Sequence, residues 1–558
     1  MSVKISTPFG QAVPPASRHS VTVHMPGWAN VERYGQDSRA VIATFDSAYP
    51  RMKPHKDIAR LADALIHHLG LQYHMCLLFT SLQSASECVE YAKSPRRDNG
   101  SDKKPVPSDQ ITLRAFNAKD RFYAVVFPSA HSLVVSGFWS TPGVGISSRF
   151  AEANMNSFDQ LAEVDIPKDD RDRPSFESPT HEALRQRISF YLERAALDPT
   201  IQPRPSTDDI YFFPTGMASI YKPHSYLSTL HNGTTILFGM AFMNTITAFK
   251  EFGSSYKFFG NGTDADLDAL ETFLSEEQSH NRKVQAIWAE FPANPLLVTP
   301  DLVRLRALAD KYDTILAIDD TIGSFANIDI THMTDMLITS LTKSFNGYAN
   351  VITGSVVLNP RSHKYPELKS LFTKYYIPEL YIADAETLLR NSEDYLPRTT
   401  TMNHNAQSLV TYLHSRALDP TSAIHKVHYP SLNPSGKHYT PFLRHATPDF
   451  TPGHGVLFCV ELEDLPTTIA FYDVLNVHKG PHLGAPRTLA FAYTMCAYKK
   501  ELDWAAGYGL RPTQIRISAG LEGTGELLGD FRVAVEAADV VKRENAVGGG
   551  ISVQSGDG

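Results

Sequence analysis

The sequence predicts an α/β protein with a mostly parallel sheet at its centre, an N-terminal α/β extension before it and a C-terminal α+β domain after it. Three observations lead there. From about His181 short apolar runs alternate with amphipathic stretches, as expected for parallel strands covered by helices on both faces. The 558 residues exceed what one hydrophobic core serves, so two or three domains are expected. A polar, Pro-containing stretch over residues 165–178 separates the alternating region from an earlier group of strand-like runs.

Residues 1–40 are rich in Pro, Gly, Ser and His and read as an extended arm. Ile58, Leu61, Leu65 and Ile66 recur at helical spacing, which predicts a helix over 57–71. Strands are expected at 73–79, 122–127 and 133–135, with a charged, Ser-rich loop over 94–109. Further on, helices are expected at 181–196 and 217–225, and buried strands at 234–238, 284–288 and 314–318. Leu302, Leu305 and Leu308 mark one face of a helix over 300–312, and a helical stretch over 384–394 leads into the last domain. The divisions are thus 1–180, 181–396 and 397–545, followed by a Gly/Ser-rich tail over 546–558 that reads as disordered.

Composition narrows the function classes. A hydrophobic fraction of 42% with 20% charged residues is ordinary for a globular enzyme. A net charge of -8 gives no electrostatic reason for binding nucleic acid or an anionic membrane. Cys76, Cys88, Cys459 and Cys496 show neither metal nor redox spacing, which fits a reducing compartment and no metal site. Nothing approaches the roughly 18 apolar residues of a membrane span. A cytosolic location follows, with mitochondrial import the lesser alternative.

One constellation carries chemistry. Lys343 lies in Ser340-Leu341-Thr342-Lys343, directly after an apolar run, and Asp319 ends the strand-like Ile315-Leu316-Ala317-Ile318. An amine able to condense with an aldehyde, hydroxyls for a phosphate and a buried carboxylate for a pyridinium nitrogen are what pyridoxal phosphate requires. Ser340 and Thr342 would point the same way in an extended segment and share one phosphate. Thr215-Gly216-Met217 opens a helix, whose amides form an anion site; a plain turn is the alternative. Phe242 offers a flat ring for the pyridine, or is simply a core residue. Asn294, between two prolines, reaches the cofactor 3-oxygen or else caps a following helix. Arg516 clamps a substrate carboxylate, or lies on an exposed edge strand.

In this order the pieces resemble the cystathionine γ-synthase/lyase family of fold-type I pyridoxal phosphate enzymes, which share the aspartate-aminotransferase-like fold. The matching segments are Thr215-Gly216-Met217, Glu290 to Pro295, Ile318-Asp319-Asp320-Thr321, Ser340 to Lys343 and Arg516 to Glu522, and the likeness covers about 200–545. Lys479-Gly480-Pro481, Glu501-Leu502-Asp503-Trp504-Ala505 and Gly145-Ile146-Ser147-Ser148-Arg149 are similar to the fungal branch of synthases. The resemblance implies that Lys343 holds the cofactor and moves protons at the substrate's α and β carbons. It implies that Asp319 pairs with the pyridinium nitrogen and Asn294 with the 3-oxygen. Gly216, Met217, Ser340 and Thr342 would hold the phosphate, and Arg516 the substrate α-carboxylate. A homo-oligomer, dimer or tetramer, is implied as well.

Three departures bear on substrates. Phe242-Met243-Asn244-Thr245 stands where the family has Tyr-Gly-Gly-Thr, so the stacking ring is kept and the phenol is lost. His482-Leu483-Gly484 stands for Ser-Leu-Gly, which places His482 beside the substrate carboxylate. The family's Tyr-x-Arg, which reaches a neighbouring subunit's phosphate, has no counterpart near Phe176-Glu177-Ser178-Pro179-Thr180. The expected reaction is γ-replacement on an O-acyl-L-homoserine, with cysteine giving cystathionine. A carbon nucleophile, elimination as in a lyase, and a cofactor-free structural role are the alternatives.

Overall fold

The computed structural model describes residues 4–169 and 175–549. Its centre is a seven-stranded sheet in the spatial order Ile210–Phe213, Gly354–Leu358, Met336–Thr339, Ile315–Asp319, Val284–Glu290, Thr234–Phe238 and Ser255–Phe259. Gly354–Leu358 runs against both its neighbours, and the other pairings are parallel. Alternate residues of these strands feed two separate cores. Trp288, Ala317, Ile338 and Val356 pack under Ile220, Phe249 and Leu368, while Ile287, Leu316, Leu337 and Val357 face Leu184, Leu270 and Leu305. This two-sided burial is why the strands are apolar throughout rather than alternating. The carboxyl ends of Val284–Glu290, Ile315–Asp319 and Met336–Thr339 lie side by side, with Glu290 opposite Asp319 and Asp319 opposite Ile338. Ligand crevices in open α/β sheets form at such ends.

The N-terminal sheet is antiparallel, in the order His74–Phe79, Arg121–Pro128, Thr112–Asn117 and Ala162–Val164. The strand expected at 133–135 is instead the helix Ser132–Ser140. Its β-branched run suggested a strand, but Val134, Val135 and Phe138 are buried together, and Phe138 packs edge-on to Phe79 at 6.0 Å. Tertiary packing overrides propensity here.

The N-terminal arm is not extended throughout. Val21 N–H bonds Ala349 O and Met25 N–H bonds Lys479 O, each at 2.9 Å, and the chain then coils into helices Trp28–Gln36 and Ser38–Ala43. Trp28 is buried edge-on against Tyr472 at 5.6 Å, which supplies the apolar anchor that makes a helix worthwhile.

The C-terminal sheet has the order Ile424–His428, Leu457–Leu462, Gln514–Ser518, Leu489–Phe491 and His478–Lys479, and only its last pair is parallel. The final helix, Thr524–Gly549, continues past the expected limit at 545, because no breaker interrupts it before the glycine run. The remainder of the expected tail, residues 550–558, and residues 170–174 of the expected boundary lie outside the described residues. Among the described residues no helix is long and apolar enough to cross a membrane.

Candidate active site

Lys343 follows the strand Met336–Thr339 in a run of tight turns, with Ser340 N–H donating to Thr321 Oγ1 at 2.8 Å. Its Nζ lies 3.2 Å from Tyr49 Oη and 4.6 Å from the centre of that ring. Burial lowers its pKa, and the charges of Arg516 and Arg51 act in the same direction, against the raising effect of Tyr49. An amine so placed is a better nucleophile than a surface lysine.

Two acids sit at strand ends beside it. Asp319 opens to the cavity and accepts Thr321 N–H at 2.9 Å; burial raises its pKa against the hydrogen bonds from Thr321 and the charge of Lys343. Glu290, opposite it on the next strand, accepts Phe242 N–H at 2.6 Å and Asn294 N–H at 3.0 Å. Burial, and then the charge of Asp319, push Glu290 up to about 8. Asp319 is the acid that opens to the cavity beside Lys343, so a cationic ring nitrogen would complement it. Asp320 points away from the cavity, accepts Thr339 Oγ1 at 2.5 Å, and burial pushes it up to about 7.

Other lining residues suit an anion. The amides of Gly216 and Met217 precede the first bonds of the helix Ala218–Ser228, with its positive dipole end turned inward. A Cβ on Gly216 would stand 2.5 Å from Ser340 Oγ, so only glycine admits that close approach. Arg51 bonds Asn244 Oδ1 at 2.7 Å through Nη1, lies over the Phe242 ring at 4.8 Å, and keeps a buried Nε without a partner.

Thr342 departs from expectation. Its hydroxyl donates to Thr353 O at 3.1 Å and accepts Thr353 N–H at 3.0 Å, and the residue is fully buried. Residues 341–346 coil into turns rather than extending, so Thr342 and Ser340 face different ways and Ser340 alone lines the cavity.

Arg516 lies on Gln514–Ser518, the central strand of its sheet and not an edge. Its Nη1 donates to Asn294 Oδ1 at 3.3 Å and its Nη2 to Pro481 O at 2.5 Å, while its guanidinium stacks on Tyr493 at 5.0 Å. The alternative of a cap at Asn294 does not hold, since the following helix starts only at Leu302 and is capped by Asp301. Pro481 and Leu483 line the cavity, whereas His482 between them turns inward beneath Tyr49, ring centres 5.9 Å apart. Both His482 ring nitrogens are buried without partners, and burial with the charges of Lys343 and Arg516 holds the ring neutral.

Sequence reading missed Tyr49 and Arg51. The signal was present, because Tyr49-Pro50-Arg51 is itself a Tyr-x-Arg, but it stands far before the Phe176-Glu177-Ser178-Pro179-Thr180 segment. The peptide is fixed by Trp139 Nε1, which donates to Pro50 O at 3.2 Å. Also missed was the wall formed by Gly143 to Arg149, held by Arg149 Nη1 bonding Asn350 O at 2.7 Å and Asp384 at 3.0 Å.

An acid pair, an amine, helix-start amides and an unpartnered guanidinium nitrogen gathered in and around one cavity together fit pyridoxal phosphate. Residues 179–536 match the family described as Cys/Met metabolism PLP-dependent enzyme, and residues 57–147 match the fungal trans-sulfuration enzyme N-terminal domain. A cystathionine gamma-synthase-like enzyme, iboG2, of Amanita muscaria is 31% identical over 96% of this chain and 98% of its own. The alanine racemase ungC of Aspergillus violaceofuscus is 31% identical over 94% and 96%. In fold, the chain is similar to cystathionine gamma synthase from Xanthomonas oryzae in complex with aminoacrylate and cysteine. That likeness has a TM-score of 0.54 at 20% identity and covers 67% of this chain and 89% of the other.

Proposed function

The chain belongs to the Cys/Met metabolism family of pyridoxal-phosphate-dependent enzymes, and from that membership we propose γ-replacement on an O-acyl-L-homoserine, with cysteine as nucleophile and cystathionine as product. The observation that supports the reading is the placement of Arg516, a buried cation suited to a carboxylate, in the same cavity as Lys343 and Asp319. That arrangement selects an amino acid and holds its α-carbon beside an amine able to take a proton.

The bound cofactor supplies an electron sink for charge developing at the substrate's α and β carbons. The protein's own groups do the rest. Asp319 keeps a ring nitrogen protonated by offering a carboxylate where burial penalises unpaired charge. Asn294, its carboxamide braced by Arg516, would meet the cofactor's 3-oxygen. Gly216, Met217, Ser340 and Arg51 hold the anionic end, and the Phe242 ring covers a flat face. Lys343 Nζ, its proton affinity lowered by burial, accepts and returns protons at the α and β carbons. His482, expected beside the substrate carboxylate, is buried behind the wall of Pro481 and Leu483, where its neutral ring supports Tyr49 instead.

A carbon nucleophile is the second reading. Phe242 and His482 depart from the family pattern on the substrate side, while the cofactor side is intact apart from Thr342, whose hydroxyl is turned away. The purified protein, incubated with O-acetyl-, O-succinyl- and O-phosphohomoserine and a panel of thiol and carbon nucleophiles, tests both by mass spectrometry. Cystathionine supports the first reading and a carbon adduct the second. Ketoacid and ammonia without any added nucleophile would overturn both in favour of elimination. The proposal includes a homo-oligomer, dimer or tetramer, to be read from light scattering.

A further inference from the structure

Phe242 lines the cavity without a hydroxyl, yet a phenol enters the same cavity from another part of the chain. Tyr49 Oη is 3.2 Å from Lys343 Nζ, a distance at which one proton is shared. We propose that Tyr49 is a catalytic residue, the acid–base partner of Lys343, and that it supplies the proton needed by the departing γ-substituent. The second half of this statement rests on the γ-replacement reading; the first does not.

The surroundings of the ring are cationic. Lys343 from the turn after Met336–Thr339, Arg51 two residues along, and Arg516 from the C-terminal sheet all lower the Tyr49 pKa, and together they outweigh the burial that would raise it. The neutral His482 ring packs at 5.9 Å, and Asp319 is the acid that senses Lys343. A phenolate beside an ammonium is therefore a favourable pair. One N–H bond of the Lys343 ammonium breaks, an O–H bond forms on Tyr49, and both groups become neutral. The Lys343 lone pair then accepts a carbon-bound substrate proton. The electron pair released at carbon drives the Cγ–O bond to break, its own pair leaving on oxygen. Tyr49 protonates that oxygen and returns to phenolate, so one proton has passed from carbon to leaving group.

Three full-length proteins test this: wild type, Tyr49→Phe and Tyr49→Phe/Phe242→Tyr. Ultraviolet difference titration of the cofactor-free chains reads tyrosinate directly. The expected result is a low-pH tyrosinate step of one tyrosine among the 24 in the wild type that is missing in Tyr49→Phe. Superimposable curves would overturn the pair. In the loaded enzymes, Tyr49→Phe is expected to lower kcat about 10²-fold with KM little changed, as for loss of a general acid. The double variant should recover at least tenfold, because Phe242→Tyr returns a phenol to the wall. Unchanged kcat in Tyr49→Phe, or no recovery, would overturn the leaving-group role. Should the wild type turn over no O-acylhomoserine, the γ-replacement reading fails, and the titration still decides whether Tyr49 and Lys343 share a proton.

Discussion

Glu290 holds its proton because burial and then Asp319 raise its carboxyl to about 8, from an ordinary value near 4.5. The folded chain thus binds a proton that the unfolded chain releases. The resulting stability is fully present below about pH 4.5 and is lost as the pH rises through about 8. In Glu290→Gln, melting temperatures of the cofactor-free protein across pH 5 to 8 should flatten; an unchanged slope would refute this assignment. Asp319→Asn removes a charge-assisted hydrogen bond of about 1.5–3 kcal/mol. Fluorescence titration should then show cofactor binding weaker by about ten- to a hundredfold. At this scale the chain is readable where chemistry and local order coincide. Lys343, Ser340 and Asp319 lie at the ends of adjacent strands, so spacing in sequence becomes neighbourhood in space. Thr342 was misjudged because an alternating pattern assumes an extended backbone, and Tyr49 was missed because 294 residues separate it from Lys343.

Among the elements, the turn at Gly484 is tightly constrained by backbone. Its φ is +71°, and a Cβ there would meet Ser344 N at 2.6 Å and the Lys343 carbonyl carbon at 2.9 Å. The left-handed backbone alone costs a non-glycine residue about 1–3 kcal/mol, before any contact is counted. Gly484→Ala should therefore lower the urea midpoint and, by pressing on the lysine turn, weaken cofactor retention in the same protein. Retention unchanged at a lowered midpoint would separate the two effects. The parallel strands were readable because burial on both faces makes them uniformly apolar. Ser132–Ser140 was not, because a short β-branched run looks alike in a strand and in a buried helix.

For the whole molecule, the arm is the coupling piece. Trp28 is anchored beside Tyr472 in the C-terminal core, Val21 pairs with Ala349, and Arg51 ends in the cavity. Trp28→Ala should cost about 3–5 kcal/mol, as for other buried aromatic residues. If the arm transmits that loss, protease should cut near residues 28–51 faster than elsewhere, which a time course by mass spectrometry would show. Alternation announced the central sheet from its own residues, whereas the arm's course depends on partners more than 300 residues distant, which no local pattern encodes.

Tyr49 and Arg516 both belong to the cavity wall, although almost the whole chain lies between them. During synthesis the first emerges long before the second. The binding chamber is thus closed only once the strand Gln514–Ser518 has been made, so coenzyme loading follows that strand instead of guiding its neighbours. Until then the tyrosine segment lacks the partners that shelter it, and mutations that slow the C-terminal sheet should yield colourless protein without bound coenzyme.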